Sequence, residues 1–219
     1  MRMRRWLWSA GLLAAMSLGA GCAHNEEQQA RAHGENVGKA FAEKVRFADQ
    51  LSLLNQEQIA LGKLALQKSR DPEVRAFANE LIQNHKKSED DLQNLAASKA
   101  FTLAEVDLST EGQGIGGAGA EGAVKGMEKG NEKYDKKYDK QVNEYIERRN
   151  KLEGLSGHAF DKAFVEQVKK DQKRGEKLVN EGLKEYRNDT SLALLLSRTA
   201  PVINSQQQRV ETLKGYLGE

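Results

Sequence analysis

Four polar side chains stand where the apolar spacing of four helical stretches calls for hydrophobic ones: Glu57, His85, Gln172 and Gln206. A carboxylate and an imidazole can each ligate a metal or move a proton. On a buried stripe such groups must be paired or used, because burial without a partner is costly. Placed one per helix, the four would form a single polar layer across a four-helix core, which is how facing helices of bundles build core sites. Glu57 and His85 are the two candidate metal ligands. Glutamine is a poor ligand, being neutral and able to bind only through its amide oxygen. A di-metal centre in such a bundle needs several carboxylates and paired Glu-x-x-His units. No Glu stands three residues before any of the four histidines. The expectation is therefore a layer whose members hydrogen-bond one another, since their amides and carboxylate offer both donors and acceptors. No catalytic residue and no cofactor is expected. The alternative is a single weakly bound transition metal at Glu57 and His85.

Cys22 is the chain's only cysteine, which rules out an internal disulfide. It follows a basic start, Met1 to Arg5, and an apolar run, Trp6 to Leu18, that is too short to span a bilayer comfortably. The small residues Gly19-Ala20-Gly21 lead into it, as small residues lead into the lipidated cysteine of bacterial lipoproteins. Residues 1–21 are expected to be a lipoprotein signal peptide and Cys22 the lipidation site. Ala23 follows, with no Asp of the kind that resembles an inner-membrane retention signal, so the outer membrane facing the periplasm is the expected location. Removing residues 1–21 takes Arg2, Arg4 and Arg5 from 34 basic residues against 32 acidic ones and leaves a net charge of −1. That balance gives no global attraction to nucleic acid. The membrane is expected as a partner only through the lipid, alongside an envelope protein partner. Gly112 to Gly117 has the spacing of a dinucleotide-binding fingerprint, but no strand precedes it, so it reads as flexible linker. No serine stands in a recognisable setting with a base and an orienting group.

These residues need helices to hold them. Two prolines, 6% aromatics and 30% charged residues suit one all-α domain with long solvated faces. Residues 22–40 are polar and read as a tether, with His24 and His33 as exposed linker histidines. Phe41 to Ser69 is the first long helix, with Phe47, Leu51, Leu54, Leu61, Leu64 and Ala65 on its stripe. Asp71 to Lys99 is the second. Asp71 caps it, Pro72 sits in its first turn, and Val74, Phe77, Ala78, Leu81, Leu92 and Ala96 recur at helical spacing. The short break between the two predicts an antiparallel pair. Residues 104–130 form a Gly-rich linker. Residues 131–153 form an accessory helix whose Tyr134, Tyr138 and Tyr145 share a face, either docked on the bundle or offered to a partner. His158 to Tyr186 is the third main helix, where Gly175 and Gly182 permit close approach of a neighbour. Ser191 to Tyr216 is the last, with Pro201 inside it.

Several stretches together resemble the DUF4142 family of exported bacterial helical bundles. They are Glu57-Gln58-Ile59-Ala60-Leu61-Gly62-Lys63-Leu64-Ala65, Val74-Arg75-Ala76-Phe77-Ala78, Asn84-His85, Leu155-Ser156-Gly157-His158-Ala159-Phe160-Asp161 and Ala200-Pro201. The resemblance covers residues 47–103 and 152–217. It implies a ferritin-like fold with an Asp-His pair where Asn84-His85 stand, and with histidines near the positions of Gln172 and Gln206. This chain keeps Glu57 and one of those histidines. The expected protein is thus an all-α, ferritin-like four-helix bundle over residues 41–219, with an extra charged helix between main helices 2 and 3. It is expected to be lipid-anchored and non-enzymatic.

Overall fold

The structure, a computed structural model, describes residues 20–104, 106, 108 and 128–218. Nearly all of the expected signal peptide and most of the Gly-rich linker lie outside the described residues. The elements are α1 (Ala20–Lys68), α2 (Pro72–Ser98), α3 (Glu128–Glu153), α4 (Gly157–Glu185) and α5 (Thr190–Tyr216), with no strand among the described residues. The chain divides into two compact units between Ala40 and Phe41. The first of them is helical from Ala20, and its residues 32–37 are exposed. The segment read as a tether is thus helical. Lack of an apolar stripe suggested a linker, but Ala, Glu, Gln and Arg are strong helix formers and no proline interrupts them.

Within Phe41–Glu219, paired residues fix every helix direction. Ser52 meets Glu89 and Asn55 meets His85, so residue numbers fall on α2 as they rise on α1, and the two run antiparallel. Lys169–Glu211 and Glu166–Lys214 do the same for α4 and α5. Gln58–Asp171 and Tyr186–Glu43 do so for α1 and α4. Tyr216–Asp71 and His85–Gln206 close the ring between α2 and α5. The cyclic order is α1, α2, α5, α4, with diagonal helices parallel. Helix α3 lies outside that ring and runs parallel to α1: Tyr134 Oη donates to Arg46 O at 2.9 Å, and Lys68 Nζ donates to Glu153 O at 2.6 Å. The crossover between main helices 2 and 3 therefore contains α3, which returns the chain along the bundle. This is an all-α bundle with one long crossover, the connection found in ferritin-like folds.

The core lies in two apolar halves. Leu61, Phe77, Phe160, Phe164 and Val210 fill one, where burial of each large side chain contributes roughly 1.5–3 kcal/mol. Phe47, Leu51, Val179, Leu196 and Ile203 fill the other. Gly175 and Gly182 serve the second half. A Cβ on Gly182 would run into the Phe47 ring and lie 2.8 Å from Leu196 Cδ1, and one on Gly175 would lie 2.9 Å from Leu54 Cδ2. Helix α2 begins at Asp71, whose carboxylate accepts from Glu73 N at 2.9 Å and Val74 N at 3.0 Å. Pro201 sits on the exposed side of α5.

A third cluster attaches α3. Tyr138, Val142 and Tyr145 are buried with Leu53 of α1 and with Val106 and Leu108 of the connection. Of the two arrangements open to the tyrosines, docked or offered to a partner, the structure has the docked one, and Tyr134 also lies under the Arg46 guanidinium at 5.5 Å. Their spacing fixed a shared face, while the apolar side of α1 decided which way that face turned.

Candidate functional site

The polar residues occupy the middle of the bundle, between the two apolar halves. All four expected members are buried: Glu57, His85, Gln172 and Gln206. They do not form one layer of mutual bonds. The structure sorts them into two networks built mostly from residues that sequence reasoning had passed over.

The first network crosses α1, α2 and α5. Glu89, four residues after His85, accepts from Ser52 Oγ at 2.6 Å and from Asn55 Nδ2 at 3.1 Å. That directs the Asn55 amide nitrogen to Glu89 and turns Asn55 Oδ1 toward His85 Nδ1, 2.9 Å away. An amide oxygen only accepts, so Nδ1 carries the imidazole proton and Nε2 the lone pair. The Gln206 atom 3.2 Å from His85 Nε2 is the amide oxygen Oε1, an acceptor set against a lone pair, and the Gln206 amide nitrogen has no partner. Exchanging the oxygen and nitrogen of the Gln206 amide, two groups of nearly the same shape, turns its NH2 to the ring, so that it donates to His85 Nε2 and the chain Glu89–Asn55–His85–Gln206 is satisfied in sequence. Burial holds the imidazole neutral and lowers its pKa from 6.5 to about 4.

The second network joins α1 to α4. Arg174 Nη2 donates to Glu57 Oε2 and, at 3.3 Å, to Asp171 Oδ1. Asp171 Oδ2 accepts from Gln58 Nε2 at 3.1 Å and Gln167 Nε2 at 3.0 Å, and Gln172 Nε2 donates to Gln58 Oε1 at 3.5 Å. Glu57 is wholly inaccessible and its Oε1 has no partner. Burial pushes its pKa up to about 7 against the pull of the Arg174 charge.

Glu57 and His85 therefore have separate partners. Both ring nitrogens of His85 face amides, and a guanidinium is fixed against Glu57, where it opposes a bound cation. Among the described residues no group of three or more His, Cys, Asp or Glu side chains is placed to hold a metal ion. The donor set does not fit a transition metal.

The seven residues missed were Ser52, Asn55, Gln58, Glu89, Gln167, Asp171 and Arg174. Some signal existed. Glu89 lies one helical turn beyond His85, and Ser52 and Asn55 share a face at a spacing of three. A Glu-x-x-His pattern puts the carboxylate before the histidine, whereas here Glu89 follows it. Gln58 was hidden for another reason: α1 is buried on every side from Leu51 to Asn55 and again at Glu57 and Gln58, because α2, α4 and α3 cover three faces.

Fold and site together define an all-α bundle whose interior is divided by a polar mid-section linked from side chain to side chain. The chain belongs to the DUF4142 family, described as a domain of unknown function, whose profile matches residues 27–213. Among solved structures the chain resembles a DUF305 protein from Streptomyces coelicolor described as a candidate secreted protein. The identity is 14% and the TM-score 0.55, covering 79% of this chain and 91% of that one. It also resembles a DUF305 fragment from Deinococcus radiodurans, at 12% identity and a TM-score of 0.51, covering 80% of this chain and 94% of that one. At such identities the likeness concerns the fold. No curated protein matches the sequence.

Proposed function

We propose that this is a cell-envelope protein anchored by a lipid on Cys22, with its bundle in the periplasm at the outer membrane and a structural or interaction role without catalysis. The observation that carries the reading is a single cysteine placed directly after a basic start, a short apolar run and three small residues. Two others support it. No helix among the described residues is long and apolar enough to cross a membrane, which is compatible with attachment through a lipid. One structural neighbour is described as a candidate secreted protein. The mid-section suits a structural role, because its polar side chains mostly bind one another. An envelope partner would meet the outward face of α3, where Lys137, Lys140 and Glu144 are exposed.

The test is mass spectrometry of the N-terminal peptide from the full chain expressed in a Gram-negative host, together with membrane fractionation. Cleavage before Cys22 and a diacylglyceryl thioether are expected, and Cys22→Ser should remain uncleaved and unlipidated. An unmodified Cys22 in a correctly exported protein would refute the anchor.

A further inference from the structure

We propose that the outward face of α4 docks on an anionic phospholipid surface. Lys170, Lys173, Lys177 and Lys184 are all exposed and share one face of α4, and Arg187 follows, exposed, in the turn after it. The row of lysines runs for about 21 Å along the helix. The exposed carboxylates on the same stretch are Glu181 and Glu185, so the face keeps a positive excess. Other acidic groups nearby are already engaged. Glu166 pairs with Lys214 at 2.8 Å, Glu211 pairs with Lys169 at 2.7 Å, and Glu176 accepts from Gln207 at 2.9 Å.

Two features separate this row from an ordinary solvated face. The first is its pairing. On α2 Lys87 meets Asp91 at 3.0 Å, and on α3 Lys140 meets Glu144 at 3.8 Å, each four residues on. On α4 the residue four after Lys173 is Lys177, and the residue four after Lys170 is Arg174. Like charges at that spacing destabilise a helix. Among the described residues Lys170, Lys173, Lys184 and Arg187 have no carboxylate within 4.0 Å, and Lys177 has Glu181 at 3.8 Å with both side chains exposed. The second feature is the row's composition. From Lys170 to Arg187 every exposed position is Lys, Asn, Glu or Arg. A protein partner would need an apolar centre to the interface. A plane of lipid phosphates asks only for cations spread along it. The chain after residue 21 carries a net −1, so the remaining surface is acidic and turns away from such a plane. The inference rests on the envelope location proposed above but not on the lipid at Cys22.

Vesicle flotation tests this with the mature chain lacking its lipid, residues 22–219 carrying Cys22→Ser. Phosphatidylglycerol vesicles should be bound about tenfold or more tighter than phosphatidylcholine vesicles, with the difference vanishing in high salt. Lys170→Gln, Lys173→Gln and Lys177→Gln together should weaken binding by about fivefold per lysine removed. The same charge change on α1 and α2, Lys63→Gln with Lys86→Gln and Lys87→Gln, should leave binding within about threefold of wild type, since those positions lie away from the docked face. All six lysines are exposed, so circular dichroism should show unchanged helicity in both variants. Equal binding to the two kinds of vesicle, or equal loss from the two triple variants, overturns the proposal. Capture by poly-L-glutamate as tight as by phosphatidylglycerol assigns the face to an acidic polypeptide and overturns it as well. The anchor is read separately by mass spectrometry. An unmodified Cys22 would remove the anchor and leave this binding intact, whereas absent vesicle binding with Cys22 lipidated would remove the docking face and leave the anchor.

Discussion

His85 is expected to remain neutral, with its proton on Nδ1, down to about pH 4. The perturbation is acidification from pH 7.5 to 4, applied to the protein and to His85→Leu. In the unfolded chain the imidazole takes a proton near its ordinary 6.5, whereas in the fold burial delays this to about 4. Between those values the unfolded state binds more protons, so the histidine's contribution to stability is present above pH 6.5 and is lost as the pH falls through 4. At 1.36 kcal/mol per unit, the 2.5-unit gap amounts to at most about 3.4 kcal/mol. Asp49 and Glu57 act in the opposite sense, because burial raises them to about 6 and about 7. They favour the fold at low pH, so the total stability curve should look flatter than the histidine alone would make it. The difference between wild type and His85→Leu, measured by urea unfolding at each pH, isolates the imidazole. Long-range 1H–15N NMR reads the tautomer directly, because only four histidines contribute. A proton found on Nε2 at neutral pH, or a midpoint near 6.5, would refute the relay from Glu89 through Asn55.

Three other outcomes are expected. Gly182→Ala should lower stability: the helix-propensity gain of about 1 kcal/mol is outweighed by overpacking against Phe47 and Leu196, which costs roughly 1–3 kcal/mol. Thermal melting should therefore fall by a few degrees, while Gly215→Ala, with nothing within 4 Å of its added Cβ, should melt at or slightly above wild type. Asp49→Asn keeps the acceptor for Ala104 N, 2.8 Å away, and removes a carboxylate that burial raises from 3.8 to about 6. It should stabilise by up to about 3 kcal/mol at pH 8, with the gain vanishing below pH 4, as followed by urea unfolding. Asp71→Ala removes the acceptor for two backbone N–H groups at the start of α2 and should cost about 1 kcal/mol by the same measurement.

The four main helices, their apolar stripes and their breaks were legible in the sequence. Spacings of three and four are local, and the Asp71 cap and the Gly154–Gly157 break stand beside the elements they bound. The positions of Glu57, His85, Gln172 and Gln206 inside the core were legible for the same reason. Their partners were not. His85 is held by residues 30 and 121 positions away, and Arg174 reaches Glu57 across 117. No periodicity carries such separations. Glu57 and Gln58 are neighbours, yet they serve different faces of α1, and only the packing of α4 and α3 around that helix settles what each one meets. The sequence by itself determined that this protein buries polar groups in mid-bundle. The tertiary structure decided that they form two networks instead of one layer, because each side chain bonds the donor or acceptor its neighbouring helix presents.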